Sequence, residues 1–207
     1  MDHTLRAFAS SLYEESRAHD LAEPDRLRRY RNLQPESAEL LAILATGVRP
    51  RRMLELGTSN GFSTLFLAEV ARDTGAELVS VDLEATRTAA AAANLAAVGL
   101  GTAADLRIAD AADALAQSPD DWWDLIFLDA ERSAYPGYWP DLVRTLTPGG
   151  LLVVDNVLSH ADQVQEFRAQ VSADPRARAT VVPVGAGLLV VVKQPLAGAI
   201  HQRDRGA

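Results

Sequence analysis

Acidic side chains close nearly every predicted strand of this chain, and the most informative set is Asp129, Asp155 and the amide residue Asn156. Asp129 ends the predicted strand Leu125–Asp129, and Asp155 ends Leu151–Asp155, directly before Asn156. Neighbouring strands lie about 4.8 Å apart, so these carboxylates can converge. Two close carboxylates repel, so either one stays protonated or a hard divalent cation lies between them. An all-oxygen set favours Mg²⁺, with Mn²⁺ or Ca²⁺ as alternatives. In a different interpretation, Asp155 and Asn156 only cap the next turn.

A glycine turn, Gly57–Gly61, joins the predicted strand Met53–Leu56 to a helix. Glycine lets the backbone approach a ligand closely, and unpaired N–H groups at the helix start face outward. The turn lacks the Gly-x-Gly-x-x-Gly pattern that brings a pyrophosphate against the helix, which argues against a dehydrogenase and favours an adenosyl ligand without phosphates. Glu55, inside the apolar strand, is a carboxylate that needs partners if it is buried.

Asp82 lies about 20 residues beyond the glycine turn, where an acidic side chain can accept the ribose hydroxyls of an adenosine. The alternative is a cap for the helix that begins at Glu84. We favour the ribose role, because the glycine turn supplies the context that this motif requires.

The order of elements behind these residues predicts an α/β fold. Predicted strands are Met53–Leu56, Glu77–Asp82, Leu106–Ile108, Leu125–Asp129, Leu151–Asp155, Thr180–Val184 and Leu188–Val192. Predicted helices between them are Gly61–Arg72, Glu84–Val98, Ala111–Ala116, Tyr138–Leu146 and Asp162–Val171. The alternation predicts a doubly wound, seven-stranded, mostly parallel sheet with helices on both faces. The last two strands, joined by Gly185-Ala-Gly, form an antiparallel hairpin at one edge.

Before the first strand, the spacing of apolar residues predicts an amphipathic helix from Leu5, a short helix from Pro24 and a third helix over Pro35–Thr46. Four arginines between 26 and 31 could attract an anionic substrate, although a charge run is more often a solvated helix face. We expect one domain over 1–207, with a helical cover (1–34), a core (35–195) and a tail (196–207) that frays.

Composition excludes several function classes. The 207 residues carry a net charge of −8, which argues against nucleic acid or an anionic membrane as the main partner. Without cysteine there is no disulfide framework, thiolate metal site or thiol nucleophile. The polar N-terminus lacks the apolar core of a signal peptide, and no apolar run approaches the length of a membrane span. We therefore expect a cytoplasmic protein.

Together these segments resemble the metal-dependent class I O-methyltransferases that use S-adenosylmethionine (SAM), typified by catechol and caffeoyl-CoA O-methyltransferases. The resemblance rests on the run Leu54–Ser63, on Asp82, on Asp124–Tyr135 with Asp129 inside it, and on Pro148–Val157. It covers nearly the whole chain from about residue 33 to 193. It implies a Rossmann-like SAM methyltransferase fold, a small hydroxylated and aromatic acceptor, and a homodimer in which the N-terminal helices take part.

The resemblance also implies a site, residue by residue. Its SAM-binding residues would be Glu55, Gly57, Thr58, Ser59, Gly61, Ser63, Asp82, Asp110, Ala111, Asp129, Glu131 and Tyr138. Asp82 would hold the ribose, and Ala111 would lie at the adenine. The metal ligands would be Asp129, Asp155 and Asn156, and the catalytic residues would be Arg132 and His160.

One residue departs from the family. A lysine usually stands three residues after the first metal aspartate and acts as general base, whereas this chain has Arg132. Arginine is effectively always protonated and cannot accept that proton. Three interpretations follow: the metal acidifies the acceptor hydroxyl and Arg132 stabilises the oxyanion, which we favour; His160 is the base; or the chain binds SAM and methylates poorly. Arg132 could also be a surface ion-pair partner of Glu131 or Asp141.

Two other functions stay open. The chain could be a SAM-binding protein with little catalysis, which only Arg132 motivates. It could instead methylate a hydroxylated tRNA base, as some relatives do, although its acidic balance disfavours a large polyanion.

Overall fold

The computed structural model describes residues 3–195, which form one seven-stranded sheet with helices on both faces. The strands are β1 (Arg52–Leu56), β2 (Glu77–Asp82), β3 (Asp105–Ile108), β4 (Trp123–Leu128), β5 (Leu146–Val154), β6 (Ala177–Val182) and β7 (Leu188–Lys193). The α-helices are α1 (His3–Ala22), α2 (Pro35–Val48), α3 (Phe62–Thr74), α4 (Ala85–Ala97), α5 (Ala111–Gln117), α6 (Tyr135–Thr145) and α7 (Gln165–Ala173). The predicted tail, 196–207, lies outside the described residues.

The sheet has the strand order β3-β2-β1-β4-β5-β7-β6. The first five strands of this order pair in parallel, and β7 pairs antiparallel with both β5 and β6. The predicted doubly wound sheet with an antiparallel hairpin is therefore confirmed. The chain runs outward from β1 in one direction and returns to start again at β4, so β1 and β4 flank the switch point where such sheets bind ligands.

Alternate residues of the central strands enter two separate cores. Leu125 and Phe127 of β4 pack with α1, α2 and α3 on one face, whereas Ile126 and Leu128 pack with α5, α6 and α7 on the other. All four side chains are fully buried. This is why β4 is a continuous apolar run rather than an alternating one, and it leaves polar residues only at the strand ends.

The second predicted helix, from Pro24, is wrong. Only a 3₁₀ turn forms, Arg26–Arg28, and the chain from there to α2 has no regular secondary structure. A helix cannot continue there because Asp20 accepts hydrogen bonds of 2.8 Å from the backbone N–H groups of Tyr30 and Arg31.

Other elements are longer than predicted. α2 passes Gly47, because the left-handed residue that ends it is Arg49 (φ 51°). α6 begins at Tyr135 instead of Tyr138, since Pro136 fits the first turn of a helix. β5 begins at Leu146 instead of Leu151, because its pairing with β4 continues to Trp123 and Leu146 across a register shift.

Candidate active site

The carboxyl ends of β1, β2, β4 and β5 open into one cavity of about 480 Å³, a volume typical of small-molecule sites. It brings together fourteen of the sixteen residues named from the sequence: Gly57, Thr58, Ser59, Ser63, Asp82, Asp110, Ala111, Asp129, Glu131, Arg132, Tyr138, Asp155, Asn156 and His160. Glu55 and Gly61 do not line it.

Gly57 lets β1 and β4 approach each other at the switch point. Its φ is 107°, and a Cβ at this position would collide with the backbone carbonyl of Asp129. A backbone hydrogen bond of 2.9 Å from Asp129 N–H to Leu56 O fixes this approach, and Gly57 N–H donates to Val81 O of β2, also at 2.9 Å. The glycine turn therefore lies directly beside the first acidic strand end.

Glu55 lies beneath the cavity and does not line it, and its expected part in cofactor binding stays a prediction. Its carboxylate accepts hydrogen bonds from the hydroxyls of Ser63 (2.5 Å), Thr64 (2.5 Å) and Ser80 (2.6 Å). Burial raises the pKa of Glu55 to about 7, against the effect of these three donors. Glu55 therefore orients Ser63, which does line the cavity.

Gly61 faces helix α4 and does not line the cavity, and its expected place among the cofactor-binding residues stays a prediction. A Cβ there would lie 2.9 Å from the Cβ of Ala91. With a φ of 84°, Gly61 immediately precedes α3. Its role is close packing of α3 against α4, while the free N–H groups of the α3 N-terminus stay at the cavity.

At one end of the cavity, Asp82 is held by two backbone donors. Its Oδ2 accepts from Ser59 N–H at 2.8 Å, and its Oδ1 accepts from Glu84 N–H at 2.9 Å. The cap alternative is thus partly realised, because Asp82 forms a turn just before α4. A carboxylate has about four acceptor sites, so two stay available for the hydroxyls of a ligand.

Asp110 and Tyr138 complete this end. Asp110 caps α5 by accepting from Ala112 N–H at 2.7 Å, which places Ala111 in the cavity wall. Burial, together with the charges of Asp110 and Glu131, raises the pKa of the Tyr138 phenol. The phenol therefore stays protonated at neutral pH between two acidic side chains.

At the opposite end, the side-chain amide of Asn156 bridges Asp129 and Asp155. Its Nδ2 donates to Asp155 Oδ2 at 2.9 Å and more weakly to Asp129 Oδ1 at 3.3 Å. The other oxygen of Asp155, Oδ1, is buried without a hydrogen-bond partner. Burial raises the pKa of both carboxyls, and the charge on Asp129 raises that of Asp155 further. The two acidic groups predicted to converge thus lie close together, and the negative charge of one disfavours ionisation of the other.

The donor set fits a hard cation. Among residues 3–195, no group of three or more His, Cys, Asp and Glu side chains could hold a metal ion. The oxygen donors at this end of the cavity are two carboxylates and one amide. The unpaired Oδ1 of Asp155 favours a cation as its partner, because a buried carboxylate oxygen is costly to leave unpaired. A cation would also need the Asn156 amide turned to present its oxygen, an orientation that side-chain amides readily exchange.

Arg132 is buried, only 6% exposed, and forms no ion pair among the described residues. Its Nε donates to Gln163 Oε1 at 2.8 Å, so the expected alternative of a surface ion pair with Glu131 or Asp141 is wrong. Its charge lowers the pKa of Asp129. Gln163 is a residue that sequence reasoning missed, and nothing in its surroundings along the chain would have revealed it.

His160 faces the same end of the cavity. Burial and the nearby arginines lower its pKa, so the imidazole is neutral at pH 7. Its Nδ1 lies 2.9 Å from the Ser159 hydroxyl, which leaves Nε2 as the nitrogen that can exchange a proton with a ligand.

Sequence reasoning also missed the walls of the cavity. The residues between α1 and α2 that line it are Arg26, Tyr30, Arg31, Asn32, Leu33 and Gln34. Ser59 Oγ donates to Tyr30 O at 2.9 Å, which ties this segment to the glycine turn. Ala186, in the turn before β7, completes the opposite wall and accepts from Leu158 N–H and Ser159 N–H. The only signal in the sequence was the arginine run, which we interpreted as a solvated face.

No helix within residues 3–195 is long and apolar enough to cross a membrane. Several known proteins that are similar to this chain are O-methyltransferases. The catechol O-methyltransferase of Mycobacterium tuberculosis is 30% identical over 158 residues, which are 76% of this chain and 70% of that protein.

Two solved structures share the fold at lower identity. The O-methyltransferase from Bacillus cereus, in complex with SAH, is 23% identical with a TM-score of 0.75, over 90% of this chain and 91% of that one. The O-methyltransferase TomG from Streptomyces achromogenes, in complex with SAM, is 24% identical with a TM-score of 0.75, over 94% and 91%. The fold is thus the Rossmann-like methyltransferase fold. The model of the O-methyltransferase family matches residues 11–194, and this protein, an enzyme, therefore belongs to the O-methyltransferase family.

Proposed function

We propose that this enzyme transfers a methyl group from SAM to one hydroxyl of a small, catechol-like acceptor with two adjacent oxygens, using a divalent cation held by Asp129, Asp155 and Asn156. The observation that carries the proposal is the unpaired buried Oδ1 of Asp155, in the same cavity that reaches Asp82. Mg²⁺ suits the all-oxygen donors best, and Mn²⁺ or Ca²⁺ would also fit.

The SAM end of the proposal rests on Asp82 and on the glycine turn. Asp82 keeps acceptor sites for two ribose hydroxyls, because only two backbone N–H groups occupy it. The free N–H groups at the start of α3 suit the carboxylate of the methionine part. The solved relatives with SAM or SAH bound have the same fold, which supports the same orientation of ligand.

At the acceptor end, the chain supplies acidic ligands and one buried positive charge. A bound divalent cation supplies Lewis acidity that lowers the pKa of a nearby hydroxyl, as zinc lowers that of water from 15.7 to about 7. Arg132 lines the same cavity, and Gln163 holds it there from outside. Its positive guanidinium therefore stabilises the negative charge of the oxyanion. The neutral His160 can accept the hydroxyl proton at Nε2.

The reaction is then a displacement at carbon. The acceptor oxygen forms a bond to the methyl carbon as the bond from that carbon to sulfur breaks, and the electron pair of the broken bond stays on sulfur. Opposite charges on the oxyanion and the sulfonium cancel in the transition state. Catalysis therefore rests on positioning, and on keeping the oxygen ionised.

The test is methyl transfer from labelled SAM, with Mg²⁺, to catechol and to its isomer resorcinol, whose hydroxyls are not adjacent. We expect methylated catechol and at least a hundredfold less methylated resorcinol, in line with the rejection of analogues that leave polar groups unpaired. Equal methylation of both isomers would contradict the role of adjacent oxygens. Tight SAM binding without any product would support the weakly catalytic alternative, which the similar proteins do not favour.

The proposal includes a homodimer, as the family resemblance implies. Sedimentation equilibrium would give twice the 22.2 kDa mass of the chain, and a single-chain mass at micromolar concentration would contradict it. No observation favours a tRNA base as acceptor.

A further inference from the structure

Three arginines line the acceptor end of the cavity: Arg26 and Arg31 before α2, and Arg132 after β4. We call them the arginine cluster. Arg26 and Arg31 are exposed, and Arg132 is buried. The cluster carries three positive charges in a protein whose net charge is −8, so an overall excess of basic residues does not explain it.

Within residues 3–195, no carboxylate lies close enough to form an ion pair with any member of the cluster. The nearby Arg28, which does not line the cavity, has such a partner in Asp25 at 3.8 Å. Arg132 is bound through Nε to Gln163, a neutral residue that cannot offset its charge. Arg132 lies close enough to Asp129 and Asp155 to lower the pKa of both carboxyls. Since it forms an ion pair with neither among residues 3–195, the cluster keeps capacity for a further anion.

The backbone at Arg31 has an uncommon conformation that hydrogen bonds of neighbouring segments hold in place. Arg31 has a φ of 52°, a conformation that costs energy in a residue with a side chain. It is imposed by Asp20, whose two carboxylate oxygens accept from the N–H groups of Tyr30 and Arg31. Ser59 Oγ fixes the same segment to the glycine turn. The segment is thus anchored on both sides with Arg31 in the cavity wall.

The three arginines of the cluster lie around His160 and Asp129. Asp82 and Asp110 lie at the proposed adenosine end, where Arg87 also lines the cavity. All three arginines act electrostatically on His160, and two of them, Arg132 and Arg31, act on Asp129. Asp129 and Asp155 would not neutralise the three arginines, because a divalent cation bound between the two carboxylates would offset their negative charge.

We propose that the methyl acceptor carries, besides its two adjacent oxygens, an anionic oxyacid group that Arg26 and Arg31 bind at the cavity wall while Arg132 attracts it from within. This inference rests on the proposed function and names the substrate class of that same site. Guanidinium groups present paired N–H donors that match carboxylate and phosphate oxygens. The shared chemistry is an oxyanion on an aromatic ring, and a carboxylate and a phosphonate are the two forms to compare.

The experiment measures binding and turnover separately. The dissociation constants of 3,4-dihydroxybenzoate, 3,4-dihydroxyphenylphosphonate and the neutral 3,4-dihydroxybenzamide are measured by calorimetry on protein saturated with SAH and Mg²⁺. The amide has nearly the same shape as the benzoate, so the comparison isolates the charge. The same acceptors are then tested for methyl transfer with labelled SAM.

The matched variants are the double variant Arg26→Gln, Arg31→Gln and the control Arg28→Gln. Glutamine has no β-branch, so it tolerates the backbone of Arg31 about as well as arginine does. We expect the protein to bind at least one of the two anions about tenfold more tightly than the amide, the double variant to lose that preference, and Arg28→Gln to keep it. The stronger anion identifies the oxyacid.

Equal binding of all three acceptors, no binding of any, or a preference that survives in the double variant would overturn the inference. Failure of the proposed function looks different: the anion binds preferentially, but no acceptor is methylated.

Discussion

Arg132 donates its Nε–H to Gln163 Oε1 at 2.8 Å, so a residue outside the cavity fixes the one buried positive charge within it. We predict that Gln163→Leu, which removes the acceptor, lowers kcat/KM roughly 2- to 10-fold, since one hydrogen bond contributes about 0.5–1.5 kcal/mol. SAM affinity should not change. Gln163→Glu, which keeps an acceptor, should restore part of the rate, and the exposed Gln165→Leu serves as control. Full activity in Gln163→Leu would show that this hydrogen bond positions nothing.

Arg132 itself should act by its charge and not as a base. We predict that Arg132→Gln lowers kcat/KM about 100-fold, the cost of removing one donor to a developing oxyanion, whereas Arg132→Lys stays within about tenfold of the parent. Steady-state kinetics with catechol and Mg²⁺ measures both. If the glutamine variant is as active as the parent, the charge has no role, and the proton acceptor His160 becomes the residue to replace.

Asp82 should determine SAM affinity. We predict that Asp82→Ala weakens SAM binding roughly 10- to 100-fold, because hydrogen bonds to a charged group contribute about 1.5–3 kcal/mol. Calorimetry with SAM measures this. Asp105→Asn is the matched control: Asp105 is exposed at the start of β3, pairs with Arg107 and lies outside the cavity. An Asp82→Ala variant that binds SAM like the control would rule out the ribose role.

Glu55 should make stability depend on pH. Burial raises its pKa from 4.5 to about 7 in the folded protein, so the folded state binds more protons than the unfolded state between these values. Its contribution is therefore complete below about pH 4.5 and is lost as the pH rises through 7. The loss is roughly 3 kcal/mol, from 1.36 kcal/mol for each pKa unit.

Glu55→Gln isolates this contribution, since glutamine cannot ionise. The free energy of unfolding in urea, measured for both proteins at pH 5 and pH 8, should shift in favour of the variant by about 3 kcal/mol between the two pH values. Other titrating groups cancel in the comparison. A difference between the two proteins that does not change with pH would mean that Glu55 is ionised throughout.

The strand ends could be predicted from the sequence because their positions follow from local patterns. Apolar runs locate the strands, parallel order brings their carboxyl ends to one edge, and this is enough to bring Asp82, Asp129 and Asp155 to a common cavity. The surroundings of Glu55 could be predicted only in part: its place inside an apolar strand indicated burial, but the hydrogen bonds of its carboxylate depend on Ser63, Thr64 and Ser80.

The walls of the cavity could not be predicted. Arg31 reaches the site only because Asp20 bends the backbone into a left-handed conformation, which no local pattern indicates. Gln163 and Ala186 arrive from segments that follow β5 and precede β7, and their contacts exist only once the sheet has formed. Contacts of this kind, between loops distant in sequence, are also what shapes the acceptor end.

The central claim is that a cation held by Asp129, Asp155 and Asn156 is required for methyl transfer from SAM, and the most direct measurement is transfer of labelled methyl to catechol in EDTA and after Mg²⁺ is restored. We predict no detectable product in EDTA, full recovery with excess Mg²⁺, and no recovery in Asp155→Ala, whose SAM affinity stays like that of the parent. Full activity of the parent protein in EDTA would contradict the account.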